Sequence, residues 1–248
     1  MQKDEYRAMF ELEDRLWWYA GMRKITAAIL DKHLAATVSF RLLDAGCGTG
    51  FSLAWMKERY PDAQVFGIDS SPDAAGFWPR RNLDTIAIAP IERLPFASDQ
   101  FDLVTCFDVI YQLTNEDARK ALSEMHRVLR PGGLLFMREP AYNWMRGAHD
   151  LAIGTRHRYT KTGLCAILQE QGFTIRRATY ANTLLFGLAV IHRLASRLSG
   201  RSESDVKPVR GFLNKTLEGA LKLEARMLAH IRFPFGLSVI ALGEKVMQ

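Results

Sequence analysis

Short apolar stretches alternate with longer stretches of helical periodicity through the first two thirds of the chain. NEDARKALSEMHRVL (115–129) is the clearest helix candidate, with Asn115 as its expected N-cap and the following RPGG as its stop signal. Such alternation is typical of a doubly wound parallel sheet covered by helices. The strand candidates are FRLLDAG (40–46), AQVFGID (63–69), TIAIA (85–89), FDLVTCFD (101–108), GLLFMREP (133–140) and FTIRRATYA (173–181).

The pattern changes after residue 181. TLLFGLAVIHRLASRL (183–198) is apolar around much of a helical circumference, and GFLNKTLEGALKLEARMLAHI (211–231) is amphipathic. FPFGLSVIALGEKV (233–246) then has the composition of a seventh strand. The sequence therefore predicts an α/β fold, with a doubly wound, mainly parallel, seven-stranded Rossmann-like sheet and a helical insertion before the last strand. The expected segments are a helical cap or lid (1–39), a core (40–182), the insertion (183–232) and the last strand (233–248).

Composition narrows the class of protein without naming an activity. The chain of 248 residues is 48% hydrophobic and 24% charged, which is typical of a globular protein. Cys47, Cys106 and Cys165 lie far apart without CxxC spacing, so we expect neither a disulfide framework nor a metal site. The start has no signal-peptide pattern, and the longest apolar run (184–191) is well short of the roughly 20 residues that span a bilayer. These features predict a cytoplasmic protein.

The positive charge is concentrated in the last part of the chain. Residues 192–248 carry ten basic and five acidic side chains, whereas residues 1–191 carry 23 and 22. An excess of this kind fits an anionic partner, including a membrane surface, and it also fits simple solubility.

A glycine-rich turn, DAGCGTG (44–50), follows the first strand candidate. The dinucleotide fingerprint GxGxxG fails here, because Phe51 and Leu53 stand where its last glycine would be needed. This spacing disfavours a nicotinamide-linked oxidoreductase. Asp69 ends the second strand candidate, where an acid can accept hydrogen bonds from both hydroxyls of a ribose. The glycine turn with Asp44 and Asp69 at consecutive strand ends predicts a nucleoside site.

Four motifs carry a resemblance to a known family. They are DAGCGTG (44–50), GIDSSPD (67–73), IERLPFASDQFDLVTCFDVIYQL (91–113) and HRVLRPGG (126–133). Together they resemble class I, seven-strand S-adenosylmethionine-dependent methyltransferases of the small-molecule branch. The resemblance covers residues 40–140, and it is specific for the cofactor but not for the acceptor.

The resemblance implies S-adenosyl-L-methionine as cofactor, with S-adenosyl-L-homocysteine as product. Asp44 and the backbone of the glycine turn would hold the methionine moiety, Asp69 the ribose, and Ile91 the adenine. The implied cofactor-binding residues are Asp44, Gly46, Cys47, Gly48, Asp69, Ser70, Ile91, Glu92, Asp108 and Arg23.

Two positions depart from the family pattern. Pro90 stands where relatives usually have an aspartate that contacts the adenine amine, and proline offers neither a carboxylate nor an N–H. Many relatives have Glu-His where this chain has Tyr111 and Gln112, so a base at that position is absent here. The first departure keeps open a second function, that of a catalytically silent, methyltransferase-like regulatory subunit.

The segment DRLWWYAGMR (14–23) has two interpretations that can hold together. It can be a capping helix whose Trp17 and Trp18 are packed. It can also be a lid, in which Tyr19 faces the sulfonium and Arg23 neutralises the methionine carboxylate, as the resemblance implies. In the lid interpretation Tyr19 is a catalytic candidate and Trp18 is an acceptor-site candidate.

The segment RHRYTK (156–161) follows the fifth strand. It can be a solvated helix start with Thr160 as cap, or it can lie over the acceptor. In the second case His157 is the first candidate for a general base, because an unshifted imidazole titrates near neutrality. The acceptor-site candidates are Trp18, Tyr111, Arg156, Arg158 and Tyr159.

The insertion has three interpretations. Its helices can bury their apolar faces on the sheet or in a homodimer, roof a greasy acceptor pocket, or rest on an anionic membrane surface. The expected acceptor is a small molecule or a lipid-like molecule. We expect no nucleic-acid substrate, because the Asn-Pro-Pro-Tyr type motif of many base-modifying relatives is absent.

Overall fold

A computed structural model describes residues 3–34, 39–147, 150, 154–199 and 211–246. Within these residues seven strands form one mixed sheet. The strands are β1 (Arg41–Ala45), β2 (Gln64–Asp69), β3 (Ile86–Ile88), β4 (Phe101–Phe107), β5 (Leu129–Pro140), β6 (Phe173–Ala181) and β7 (Ser238–Lys245). The labelled helices are α1 (Lys3–Glu13), α2 (Trp17–Leu30), α3 (Phe51–Arg59), α4 (Pro72–Ala75), α5 (Asn115–Val128), α6 (Lys161–Glu170), α7 (Phe186–Ser199) and α8 (Gly211–Leu228).

The order of strands in the sheet is β3-β2-β1-β4-β5-β7-β6. The strands from β3 to β5 pair in parallel, whereas β7 is antiparallel to both β5 and β6. The chain winds outward from β1 to β3 and then crosses to β4 on the other side of β1. In such sheets ligands bind at the carboxyl ends of the strands beside this switch point. Asp44, Asp69 and Asp108 lie there, at the ends of β1, β2 and β4.

Buried strand residues hold the sheet between its helices. Leu42, Leu43 and Leu103 are fully buried and belong to one continuous apolar core. Each such side chain contributes about 1.5–3 kcal/mol on burial. This rigid core fixes the positions of the three strand-end acids. Among the described helices, none is both long and apolar enough to cross a bilayer.

Helix α5 begins with a different cap from the expected one. Thr114, not Asn115, has the extended backbone of an N-cap, and its hydroxyl accepts the N–H of Asp117 at 3.1 Å. Both residue types can cap. Thr114 is the cap because it leaves the preceding turn in an extended conformation.

Strand β5 begins earlier than expected. RPGG does not separate α5 from the strand, because β5 starts at Leu129 and pairs there with Phe101. The pairing then shifts between Phe101 and Leu103, and Gly132 adopts a φ of 79° in the extra length. The Pro-Gly-Gly stretch therefore forms an irregularity within the strand.

The N-terminal segment and the insertion pack against each other. Helices α1 and α2 are separate, since the chain turns between Glu13 and Trp17. The backbone N–H of Trp17 donates to Asn214 of α8 at 2.9 Å. A Cβ placed on Gly21 of α2 would lie 2.3 Å from Leu221 Cδ1, so the two helices approach closely at a position that glycine permits. The insertion thus supports the helix that carries Tyr19 and Arg23.

Candidate active site

At the end of β1, the glycines of the turn leave the backbone uncovered by side chains of their own. The N–H groups of Gly46 and Cys47 donate to the carbonyl of Ile68 at 2.8 and 2.9 Å, which ties the turn to β2. Gly46 has a φ of 85°, and a Cβ there would lie 2.4 Å from Val109. Gly48 has a φ of 54°, and its Cβ would meet no described atom within 4 Å. The turn is therefore closed at Gly46 by the segment that follows β4, and it is open to a ligand at Gly48.

Asp69 is oriented by the same turn. Its Oδ2 accepts the N–H of Gly48 at 2.8 Å, and its Oδ1 accepts the N–H of Ser71 at 2.9 Å. A carboxylate has about four acceptor positions, and these bonds use two of them. Burial raises the pKa of Asp69, against the two N–H groups, which lower it. Ser70, which precedes Ser71 and is another cofactor candidate, is exposed.

Asp44 is buried at the end of β1. Thr105 of β4 donates its hydroxyl to Asp44 Oδ1 at 2.7 Å. Burial raises the pKa of Asp44 to about 7, while the hydrogen bond from Thr105 and the charge of Arg138 oppose this rise. Asp44 therefore titrates near neutrality, and a nearby cation would favour its charged form. Burial also raises the pKa of the Cys47 thiol well above its usual range, so this cysteine stays protonated.

Helix α1 covers the glycine turn. Thr49 donates its hydroxyl to Glu13 Oε2 at 2.5 Å, and Arg81 donates to the same oxygen at 2.9 Å. Tyr6 is buried with its hydroxyl beside Ser71, and both burial and the charge of Asp69 raise the pKa of Tyr6. The N-terminal helix thus contacts both the glycine turn, at Thr49, and the residues after Asp69, at Ser71.

Arg138 and Asp108 form an ion pair at the end of β4. Arg138 Nε donates to Asp108 Oδ2 at 2.9 Å, and the N–H of Asp108 donates to the carbonyl of Arg138 at 2.7 Å. Asp108 has a φ of 55°, a conformation that non-glycine residues rarely adopt. The Arg138 guanidinium lies 5.0 Å from the ring of Trp18 and 4.8 Å from that of Phe107. The cofactor candidate Asp108 and the acceptor candidate Trp18 are therefore connected through Arg138.

Tyr19 and Arg23 both lie against Phe51, the first residue of α3. The rings of Tyr19 and Phe51 are 5.4 Å apart, and the Arg23 guanidinium is 4.6 Å from the Phe51 ring. Burial raises the pKa of Tyr19, and the charges of Glu13 and Asp108 raise it further. Tyr19 therefore keeps its proton in neutral solution.

The loop after β3 is held by α5. The N–H of Leu94 donates to Glu124 at 2.8 Å. Ile91 is buried and Glu92 is half-buried, whereas Pro90 is exposed. The bond between Leu94 and Glu124 therefore fixes the loop at a residue that is not itself a candidate adenine contact.

Glu139 fixes the turn after β4. This fully buried carboxyl accepts backbone N–H groups from Val109, Ile110 and Tyr111 at 3.3, 3.1 and 3.2 Å. Burial raises the pKa of Glu139 well above its usual range, and the charge of Asp108 adds to this rise. The carbonyl of Tyr111 accepts in turn from the N–H groups of residues 156 and 157, at 3.0 and 3.2 Å.

His157 and Tyr159 form a pair beside Tyr111. The imidazole Nε2 and the Tyr159 hydroxyl share a short hydrogen bond, and the ring centroids are 4.6 Å apart. Burial lowers the pKa of His157, as does the charge of Arg146, so the ring is neutral at pH 7. Burial raises the pKa of Tyr159. The structure thus brings three of the sequence-derived candidates together.

The two arginines of this segment have protein partners. Arg158 donates to both carboxylate oxygens of Asp150 at 2.8 and 2.9 Å. Arg156 donates to the carbonyl of Gln112 at 3.1 Å, although its side chain is exposed. Thr160 caps α6 by accepting the N–H of Gly163, as expected for a helix start.

Several buried residues of the site were missed by sequence reasoning. Arg138 and Glu139 are adjacent charges inside an otherwise apolar strand, and this contrast was a usable signal. Thr49 lies within the glycine motif, but nothing local connects it with Glu13. The other missed residues are Tyr6, Trp78, whose indole donates to Gly48 O at 2.9 Å, and Thr105.

Together, the sheet order, the open turn at Gly48 and the strand-end acids define a Rossmann-like core with the arrangement typical of nucleotide-cofactor enzymes. Residues 43–137 match a family model described as a methyltransferase domain. The chain is 31% identical to an uncharacterized methyltransferase of Synechocystis sp. over 165 residues, which cover 60% of this chain and 74% of the relative. On these matches, the chain belongs to the class I S-adenosylmethionine-dependent methyltransferases.

A second relative agrees with this family, and a solved structure shares the fold. The chain is 29% identical to the ubiquinone/menaquinone biosynthesis C-methyltransferase of Bordetella parapertussis over 204 residues, which cover 70% of this chain and 77% of the relative. The fold is similar to that of geranyl diphosphate C-methyltransferase from Streptomyces coelicolor, with a TM-score of 0.59 and 16% identity. That alignment covers 89% of this chain and 77% of the other.

Proposed function

We propose that this chain transfers the methyl group of S-adenosyl-L-methionine to a small-molecule or lipid-like acceptor by in-line displacement. The observation that carries the proposal is the pair of carboxyls at Asp44 and Asp69, on neighbouring parallel strands beside an open glycine turn. In the proposal Asp69 accepts from the ribose with its two remaining acceptor positions, and Asp44 faces the cationic methionine moiety.

The residues present fit this cofactor. Asp69 is held in one orientation by two backbone N–H groups, and Gly48 leaves the space that a side chain would fill. When bound, S-adenosyl-L-methionine supplies a methyl group already activated by its sulfonium. The work of the protein is then alignment and exclusion of water, which can supply several kcal/mol, up to about 10 in ideal cases. Helix α1, through Tyr6 and Glu13, is positioned to exclude water from the Asp69 side.

The proposed acceptor side lies around His157, Tyr159 and Tyr111. A neutral His157 can accept a proton through Nδ1 when its Nε2–H donates to Tyr159, and an acceptor hydroxyl would need such a base. Tyr19 stays protonated, so its proposed role is to orient the reacting groups by donating a hydrogen bond. An amine that is already deprotonated needs neither.

Aromatic rings next to this side favour an apolar acceptor. The Tyr142 ring stacks on Tyr180 at 5.2 Å and on Trp144 at 5.7 Å, and the N–H of Tyr142 donates to the carbonyl of Tyr159 at 3.0 Å. Phe186 lies 5.9 Å from Tyr142. A relative named for ubiquinone/menaquinone biosynthesis further supports a lipid-like acceptor.

Calorimetry with S-adenosyl-L-homocysteine tests the cofactor site. We expect binding to the wild type and a loss of about 10- to 100-fold in affinity for Asp69→Asn, since hydrogen bonds to a charged group contribute about 1.5–3 kcal/mol each. Asp62→Asn, an exposed acid before β2, is the matched control. Absence of binding heat in the wild type, or normal binding by Asp69→Asn, would overturn the assignment.

Label transfer tests the reaction. The chain is incubated with methyl-labelled S-adenosyl-L-methionine and either a lipid extract or a polar metabolite extract. Label in the organic phase supports a lipid-like acceptor, and label in the aqueous phase supports a small polar one. Cofactor binding without transfer in either phase would instead favour the silent regulatory subunit that the Pro90 departure raises.

A further inference from the structure

Helix α7 exposes a continuous apolar stripe. Leu188, Ile191 and Leu194 are 64, 66 and 51% exposed, and residues at this spacing lie along one side of a helix. Leu184, just before the helix, is 42% exposed. This stripe is not part of the core, so it is available for a surface contact.

A cluster of partly exposed aromatic side chains lies at the start of α7. The ring of Phe186 lies 5.4 Å from that of Phe235 and 6.1 Å from that of Trp144. Trp144 and Phe235 are themselves 49 and 45% exposed. Amphipathic aromatic rings, tryptophan above all, are favoured where an apolar phase meets water.

The sequence of the segment that carries the stripe has an excess of basic residues. Between Thr183 and Ser202 the sequence has three arginines and one histidine, and no aspartate or glutamate. A two-fold dimer through this stripe would bring the same basic segment against itself, because such interfaces are self-complementary. Anionic lipid headgroups, by contrast, attract a segment with net positive charge, and the acyl boundary accepts the apolar stripe.

We propose that α7, together with Trp144 and Phe235, docks on an anionic bilayer surface without crossing it. The docking surface consists of Leu184, Leu188, Ile191, Leu194, Trp144 and Phe235. The docking proposal goes beyond the proposed methyl transfer. It would hold even if the acceptor were water-soluble. Through Phe186 and Tyr142 this surface adjoins the segment of His157 and Tyr159, so a lipid-like acceptor could reach the site from the bilayer.

Vesicle co-sedimentation of the full chain tests the docking. We expect binding to vesicles of equal parts phosphatidylcholine and phosphatidylglycerol, weaker binding to phosphatidylcholine alone, and weakening by salt. The double variant Leu188→Gln/Ile191→Gln should lose about tenfold or more in partitioning, because it removes apolar contact from the stripe. Val246→Gln is the matched control: it is 49% exposed and lies at the opposite edge of the sheet, beyond the end of β7 that pairs with the start of β6.

The outcomes separate the alternatives. No sedimentation of the wild type with anionic vesicles, or equal sedimentation of wild type and double variant, would overturn the proposal. A wild-type dimer in sedimentation equilibrium that the double variant converts to monomer, without vesicle binding, would assign the stripe to a second copy and also overturn it. The substitutions at Leu188 and Ile191 leave the candidate cofactor-binding residues intact. Calorimetry of the double variant with S-adenosyl-L-homocysteine therefore tests the proposed function separately from the docking.

Discussion

Thr49 in the glycine turn donates its hydroxyl to Glu13 at the end of α1, and Arg81 donates to the same carboxyl oxygen. Glu13 is 3% exposed, so this link between the N-terminal helix and the cofactor turn is shielded from water. It gives the N-terminal segment a specific attachment to the site it covers.

We therefore expect Glu13→Ala to release α1 from the turn. The change removes the acceptor of Thr49 and one of the two carboxylate partners of Arg81, at a cost of about 1–3 kcal/mol in the free energy of unfolding. Dissociation of S-adenosyl-L-homocysteine, followed by stopped-flow fluorescence, should become faster. Glu11→Gln, on the exposed part of the same helix, should change neither quantity. Equal dissociation rates in Glu13→Ala and the wild type would show that α1 does not control access.

The raised pKa of Asp44 makes stability depend on pH. Because burial raises its pKa from the ordinary value to about 7, the folded state favours the protonated carboxyl. The contribution of Asp44 to stability is therefore complete below about pH 4 and is lost as the pH rises through about 7. Asp44→Asn should remove this loss, which chemical denaturation of both proteins at pH 5 and pH 8 would measure. An unchanged pH slope in Asp44→Asn would contradict the prediction.

Cofactor binding should show the opposite pH trend. A cationic ligand favours the charged form of Asp44. Below pH 7 its binding therefore releases a proton, and affinity should increase by up to about tenfold for each unit by which the pH is raised. Calorimetry of S-adenosyl-L-methionine binding in buffers of different ionisation enthalpy counts that proton. Asp62→Asn should behave as the wild type, and Asp44→Asn should lose the dependence. Proton release by Asp44→Asn equal to that of the wild type would assign it to another group.

The pair of His157 and Tyr159 predicts a graded effect on turnover. If His157 is the base for a hydroxyl acceptor, His157→Ala should lower kcat by about 10²–10⁴ while cofactor affinity is unchanged. Because burial lowers the pKa of His157, the acidic limb of the kcat/KM profile should lie below about pH 6.5. Tyr159→Phe keeps the ring but not the hydroxyl, so it should lower kcat less and shift that limb.

The exposed His230 provides the control for this series, since His230→Ala removes an imidazole far along the chain from the pair. Full turnover by His157→Ala with the acceptor identified by label transfer would remove His157 from the mechanism.

The close approach of Gly21 and Leu221 predicts non-additive stability. Gly21→Ala should destabilise by about 1–3 kcal/mol through overpacking, and Leu221→Ala by about 2–5 kcal/mol through a cavity. The double variant should lose less than the sum, as unfolding in denaturant would show. Gly219→Ala is the control, because a Cβ there meets no described atom within 4 Å. Strict additivity would mean that the two residues do not share this contact.

Periodicity and turn residues predicted much of the fold. The bounds of β6 match FTIRRATYA, and Asp44 and Asp69 follow from apolar runs that end in an acid. These features are local, since each depends on residues within one strand and its turn. The predicted start of β5 was wrong. Leu129 pairs with Phe101, which is distant in sequence, and this pairing includes RPGG in the strand.

The partners of buried charges could not be predicted. Glu13 and Thr49 are 36 positions apart, and Arg138 and Asp108 are 30 apart. Each pair forms only because separate elements converge on the carboxyl edge of the sheet. The same holds for Arg158, an acceptor-site candidate from the sequence that the structure pairs with Asp150.

Strand β7 also determines when this protein can complete its folding. Strands β5 and β6 both pair with β7 and are not neighbours of each other. While the ribosome is still making the helices of the insertion, β5 and β6 therefore each present an open edge, to which another nascent chain could add. Pairing of residues 238–245 closes both edges at once, so we expect nascent chains to associate wrongly most readily before these residues emerge.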